Sequence, residues 1–146
     1  MLEAIKQAKI AAKHNEIPVG AIIVYKDKII AKAYNKKEKK QNVLEHAELI
    51  AIRKASKIIK NWRLSDCELY VTLEPCPMCA SAIKQSRIKT VYAGLKSNDI
   101  NNEKIIKMIF NNNYNNGNVT YNCGYFSEDI EKLMQEFFKN KRNVEK

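Results

Sequence analysis

The chain contains no run of about 18 uncharged apolar residues, the length a helix needs to cross a bilayer. Its opening, Met-Leu-Glu-Ala-Ile-Lys-Gln-Ala-Lys-Ile, lacks the continuous apolar core and small-residue cleavage site of a secretory signal. These absences predict a cytoplasmic protein with no membrane partner, whose thiols stay reduced. Its cysteines, Cys67, Cys76, Cys79 and Cys123, are therefore expected in metal chemistry or core packing before disulfides. A chain of 146 residues buries roughly 68–70% of its unfolded surface, so no covalent staple is required. Neither an internal repeat nor a linker is visible, which predicts a single domain over residues 1–146. Arginine is scarce, occurring at Arg53, Arg63, Arg87 and Arg142 among 26 cationic side chains. The net charge of +10 favours a polyanion such as RNA. The abundance of lysine and asparagine along the whole chain equally fits a drift in composition, and charge alone does not choose between the two.

Apolar positions at Leu2, Ile5, Ala8 and Ala12 have helical spacing. Gly20 to Tyr25 and Lys28 to Tyr34 are β-rich and flank Lys26-Asp27, the pattern of a hairpin. Residues 35–45 are expected to be a polar loop. A helix follows from Glu45 to about Lys60, with Leu49, Ile52 and Ile59 on one stripe, and then a strand from Glu68 to Leu73. Pro75-Cys76-Pro77 opens a helix running to about Ser86, since proline is tolerated in a first turn whose N–H groups have no helical partner. Lys89 to Gly94 is predicted as a strand, Glu103 to Phe110 as a short helix, and Val119 to Cys123 as a last strand. Asn116-Gly117 marks a turn, and Ser127 is a candidate cap for a final helix that passes through Phe137 and Phe138 into a basic tail. After the hairpin, strands alternate with helices, which points to a layered α/β sheet.

The densest chemical signal is His46-Ala47-Glu48 followed by Pro75-Cys76-Pro77-Met78-Cys79. Cys76 and Cys79 are three apart at a helix start and share a face. The positive end of that helix lowers thiol pKa and favours the thiolates that bind metal. Sulfur plus imidazole suits zinc better than magnesium or calcium. His46, Cys76 and Cys79 supply three ligands, and three leave a position for water, the catalytic arrangement, whereas four would close a structural site. His14, Cys67 and Cys123 are the remaining candidates for a fourth ligand; the two cysteines read more simply as packing. Residues two apart do not share a helix face, so His46 and Glu48 converge only beyond the N-terminus of their helix. Glu48 is then free to serve as acid and base. This combination is the signature of zinc nucleobase deaminases.

At these residues the chain resembles the bacterial tRNA adenosine deaminases, within the cytidine-deaminase-like superfamily. The likeness extends through Glu16-Ile17-Pro18-Val19-Gly20-Ala21, Tyr34-Asn35, Asn61-Trp62-Arg63-Leu64, Leu69 to Ala80, Ser86-Arg87-Ile88 and the ending Phe137-Phe138-Lys139-Asn140-Lys141-Arg142. The resemblance implies a three-layer α/β/α fold with a five-stranded mixed sheet, a homodimer, one Zn2+ per subunit, and conversion of the wobble adenosine of a tRNA anticodon, typically of an arginine tRNA, to inosine. It implies that Asn35 and the backbone around Ala47 contact the target base, that Glu16 and Pro18 line the pocket mouth, and that Lys141 and Arg142 meet RNA phosphates. Residues 95–102, Leu-Lys-Ser-Asn-Asp-Ile-Asn-Asn, depart from the glycine-containing loop usual in that family.

Two other readings remain open at this level. A deaminase of free bases or nucleosides, of the guanine or cytosine class, shares the zinc chemistry and needs no basic tail. A zinc-stabilised RNA-binding module without activity has no use for Glu48.

Overall fold

The computed structural model describes residues 1–113 and 117–145. The elements are α1 (Leu2–Lys13), β1 (Gly20–Tyr25), β2 (Lys28–Tyr34), α2 (Lys37–Lys40), α3 (Ala47–Ile59), β3 (Cys67–Leu73), α4 (Pro77–Gln85), β4 (Thr90–Leu95), α5 (Asn102–Asn111), β5 (Thr120–Cys123) and α6 (Ser127–Glu145). The strands form one five-stranded sheet in the order β2-β1-β3-β4-β5. β1 runs antiparallel to β2 and β3, while β3, β4 and β5 are parallel to one another. The parallel pairs need crossovers, and α4 and α5 supply them.

Side chains alternate between the two faces of a strand. Ala21 and Ile23, Leu69 and Val71, and Val91 and Ala93 share one core cluster with Ile50, Ala51 and Ala55 of α3, Ile83 of α4, and Ile106 and Phe110 of α5. The residues between them turn toward α1 and α6. There the backbone of α1 comes so close that a Cβ on Gly20 would stand 2.0 Å from the Ala4 carbonyl oxygen, and one on Gly94 would meet Ile130 of α6 at 2.1 Å. The result is the expected α/β/α sandwich. Lys84 of α4 is buried, and its ammonium donates to the carbonyls of Phe110 (3.0 Å) and Asn112 (2.6 Å), which ties α4 to the end of α5.

Three local expectations change. Within 35–45 the chain makes the single-turn α2, because the buried carboxylate of Glu16 accepts hydrogen bonds from the Glu38 and Lys39 N–H groups (2.9 and 2.7 Å). Helix α3 begins at Ala47, with His46 as an extended N-cap (φ −75°, ψ 149°). Ser127 lies inside α6; the Phe126 carbonyl before it accepts the Ile130 N–H, so Phe126 occupies the cap. The turn expected at Asn116-Gly117 rests on Asn116, outside the described residues.

Candidate metal centre and reaction cavity

Two helix N-termini meet where the sheet ends. β3 stops at Leu73, the chain crosses Glu74 and Pro75, and Cys76 becomes the N-cap of α4 with extended backbone (φ −75°, ψ 169°). His46 caps α3 in the same way. Neither residue has helical dihedrals, so each side chain projects past its helix instead of along a flank. That resolves the two-residue spacing of His46 and Glu48: one precedes the helix and the other lies in its first turn.

The Nδ1 atom of His46 stands 3.7 Å from the sulfur of Cys76 and 3.4 Å from that of Cys79. A tetrahedral zinc with Zn–N near 2.05 Å and Zn–S near 2.3 Å separates nitrogen and sulfur by about 3.6 Å. The observed pair brackets that value, so the residues fit the ion. All three donor atoms lie within 4.8 Å of one another, and among the described residues no further His, Cys, Asp or Glu joins them. Cys67 is packed in the core, and the Cys123 sulfur lies 3.6 Å from the Gly94 carbonyl oxygen. His14 stacks on Tyr34.

Hydrogen bonds from Cys79 and His46 hold the Cys76 thiol down at about 4. The neighbouring Cys76 sulfur and burial push the Cys79 thiol up. The bond to Cys76 raises the His46 imidazole. Glu48 is 4% exposed, and burial raises its carboxyl above the ordinary range.

A cavity of about 230 Å³ opens onto this cluster, walled by Ile17, Val19 and Leu73 and bordered by Asn35, Ala47, Glu48 and Glu74. Asn35 is buried; its amide nitrogen donates to the Ile17 carbonyl (3.3 Å), and its amide oxygen accepts the Lys37 N–H (3.2 Å). Glu16 and Pro18, expected at the mouth, are not among the lining residues. Both are buried, and Ile17 between them and Val19 after them form the wall. The carboxylate of Glu16 instead pins α2, which carries the cavity-lining Lys37. Lys141 and Arg142 are exposed near the end of α6. The Lys141 ammonium lies 5.9 Å from the Phe137 ring centroid. Arg142 and Phe138 line a second cavity of about 540 Å³, which shares Ile17 and Leu73 with the first. Phe137 is packed inward and Phe138 is 38% exposed, the division expected of adjacent helical residues.

Sequence reasoning missed Glu74 as a cavity residue, together with its partners. Both oxygens of Glu74 are engaged: the Asn102 amide donates to one (2.9 Å) and the Tyr121 hydroxyl to the other (2.8 Å). Glu74 adjoins the cysteine motif and was accessible from it. Asn102 and Tyr121 are remote in sequence and gave no such signal.

A family model for MafB19-like deaminases matches residues 1–142. A tRNA-specific adenosine deaminase of Rickettsia bellii is 46% identical over 145 residues, spanning 98% of this chain and 100% of the relative. One from Buchnera aphidicola is 40% identical over 139 residues, spanning 95% and 91%. A solved structure from a study of A-to-I editing by tRNA:A34 deaminases superposes with a TM-score of 0.83 at 29% identity, covering 91% of this chain and 96% of that one. With a family model over nearly the whole chain and near-complete overlap in length with its relatives, the chain belongs to the MafB19-like deaminases and to the family of the tRNA-specific adenosine deaminases.

Proposed function

We propose that this protein hydrolyses the wobble adenosine of a tRNA anticodon, of the arginine type, to inosine with release of ammonia. The observation that carries the reading is a buried carboxyl, Glu48, beside a three-ligand cluster but outside it, facing a cavity of about 230 Å³. That volume is below the usual 300–1,000 Å³ of a small-molecule site, which suits a single base turned out of its stack.

His46, Cys76 and Cys79 would hold one zinc ion, which would supply the Lewis acidity that makes water nucleophilic near neutral pH. Glu48 takes a proton from the attacking water and delivers it to purine N1 while the hydroxide adds to C6; it then moves the proton of the new C6 hydroxyl to the amine, which leaves as ammonia when the C6–N bond breaks. Burial equips Glu48 for both tasks, because a raised carboxyl carries a proton closer to neutrality. One N–H of the Asn35 amide is committed to the Ile17 carbonyl, leaving the other for an acceptor on the base. The backbone at Ala47 forms the adjoining wall. Glu16 and Pro18 act behind that wall, Glu16 by fixing α2. Lys141 and Arg142 contact phosphates beside the shared cavity wall, and an anticodon loop, already single-stranded, lowers the cost of extruding the base. The chain acts as one domain and pairs as a homodimer. Its need for two free cysteines matches a reducing cytoplasm, and no helix among the described residues is long and apolar enough to cross a membrane.

Incubation with unmodified arginine tRNA should place inosine at the first anticodon letter and release one ammonia per inosine. Turnover of free guanine, cytosine or nucleosides with no change in tRNA would replace this reading with the free-base one.

A further inference from the structure

Cys76 reaches the metal cluster from a connection of only two residues, Glu74 and Pro75, between the end of β3 and the start of α4. No side chain caps that helix. The position of the Cys76 sulfur therefore depends on how firmly the connection is held. One backbone–backbone hydrogen bond ties it, from the Glu74 N–H to the Leu95 carbonyl (2.8 Å). Side chains from α5 and β5 add further bonds. The Asn102 amide nitrogen, at the first residue of α5, reaches both the Glu74 carboxylate (2.9 Å) and the Pro75 carbonyl (2.9 Å). The Tyr121 hydroxyl, from β5, donates to the second Glu74 oxygen (2.8 Å). Glu74 and Asn102 are 4% and 8% exposed, so water does not replace these bonds.

We infer that Asn102 and Tyr121 are positioning residues for the metal centre: by gripping Glu74 and Pro75 from α5 and β5, they set where Cys76 stands. Each Glu74 oxygen already accepts a hydrogen bond, so this second cavity carboxylate is a fixed anchor and leaves proton transfer to Glu48. Burial and the neighbouring Cys123 and Glu74 push the Tyr121 phenol up, which keeps its hydroxyl a donor. Removing the grip leaves all three ligands in place but frees the connection. Supporting hydrogen bonds of this kind are worth about 10–100-fold in metal affinity.

This inference rests on the zinc reading, and one experiment separates the two. Zinc affinity is measured by chelator competition on the full chain and on Tyr121→Phe, Asn102→Ala and Ser86→Ala. Ser86 is a control: its buried hydroxyl bonds the Ile83 carbonyl at the far end of α4 (2.8 Å). Tyr121→Phe and Asn102→Ala are expected to weaken zinc binding about 10–100-fold. Ser86→Ala should lower thermal stability and leave zinc affinity within about threefold. Affinities within about threefold of the unaltered chain in both grip variants overturn the inference. Should Asn102→Ala not fold, Tyr121→Phe decides, since it removes a single oxygen. An unaltered chain that takes up no stoichiometric zinc overturns the metal reading beneath.

Discussion

Glu48→Gln separates the two demands that this site places on one residue. The substitution keeps the size and shape of the side chain and removes its ability to shuttle a proton. General acid–base catalysis contributes about 10²–10⁴-fold, or about 2.7–5.4 kcal/mol of barrier at 1.36 kcal/mol per decade. A rate loss within or above that range is expected, with tRNA inosine scored against time. Zinc should remain stoichiometric by elemental analysis, because Glu48 stands outside the three-ligand group. Stability should move the other way. Burial raises the Glu48 carboxyl above 4.5 in the folded chain, so the folded state binds its proton more tightly than the unfolded state does. Below the unfolded value both states are protonated and Glu48 costs nothing. As pH rises past that value the unfolded chain ionises first, and stability is lost. Glutamine escapes this cost, so metal-free Glu48→Gln should be the more stable protein at pH 7, by about 1–3 kcal/mol for one buried polar group. The gain should vanish near pH 4. Urea denaturation of both metal-free proteins at the two pH values measures it. Activity like that of the unaltered chain, loss of zinc, or a stability gain equal at both pH values would refute the reasoning.

Zinc binding near pH 7 should release at least one proton, because the neighbouring Cys76 sulfur and burial keep Cys79 protonated until metal arrives. Affinity should therefore rise by about one decade or more per pH unit, and titration calorimetry in buffers of different ionisation enthalpy that detects no proton release would contradict it. Gly20→Ala should cost about 3 kcal/mol or more, since its Cβ would meet backbone atoms of α1, the Ala4 oxygen at 2.0 Å and the Ala8 nitrogen at 2.6 Å; a denaturation midpoint unchanged from the parent would show that α1 yields easily. Neutralising Lys141 and Arg142 together should lower the salt dependence of tRNA binding by about two phosphate contacts and leave zinc content unchanged. An unaltered slope would remove them from the RNA surface.

Much of the site was legible in one dimension because metal chemistry restricts residue type and helix geometry restricts spacing. His46, Glu48, Cys76 and Cys79 could be picked out on those grounds alone, and so could the alternation of strands and helices that the sheet confirms. Element ends were less legible. Helix α3 was expected at Glu45 and begins at Ala47, because composition does not reveal that His46 takes an extended cap. The single turn of α2 escaped notice because a residue 22 positions earlier, Glu16, stabilises it. The same bond explains why Glu16 supports the cavity from behind when its motif suggested the rim.

The amino-acid order by itself marked the candidate donors His46, Cys76 and Cys79, the separate carboxyl of Glu48 and the layered class of the fold, since donor identity and side-chain period are local properties. Only the tertiary structure decided that two helix caps meet at 3.4 and 3.7 Å, and that Ile17, Lys37 and Glu74 border the cavity. It also decided that Asn102 and Tyr121 grip the approach to Cys76. These are contacts between segments far apart in the chain, and they exist only once the sheet order β2-β1-β3-β4-β5 has brought β3, α5 and β5 together.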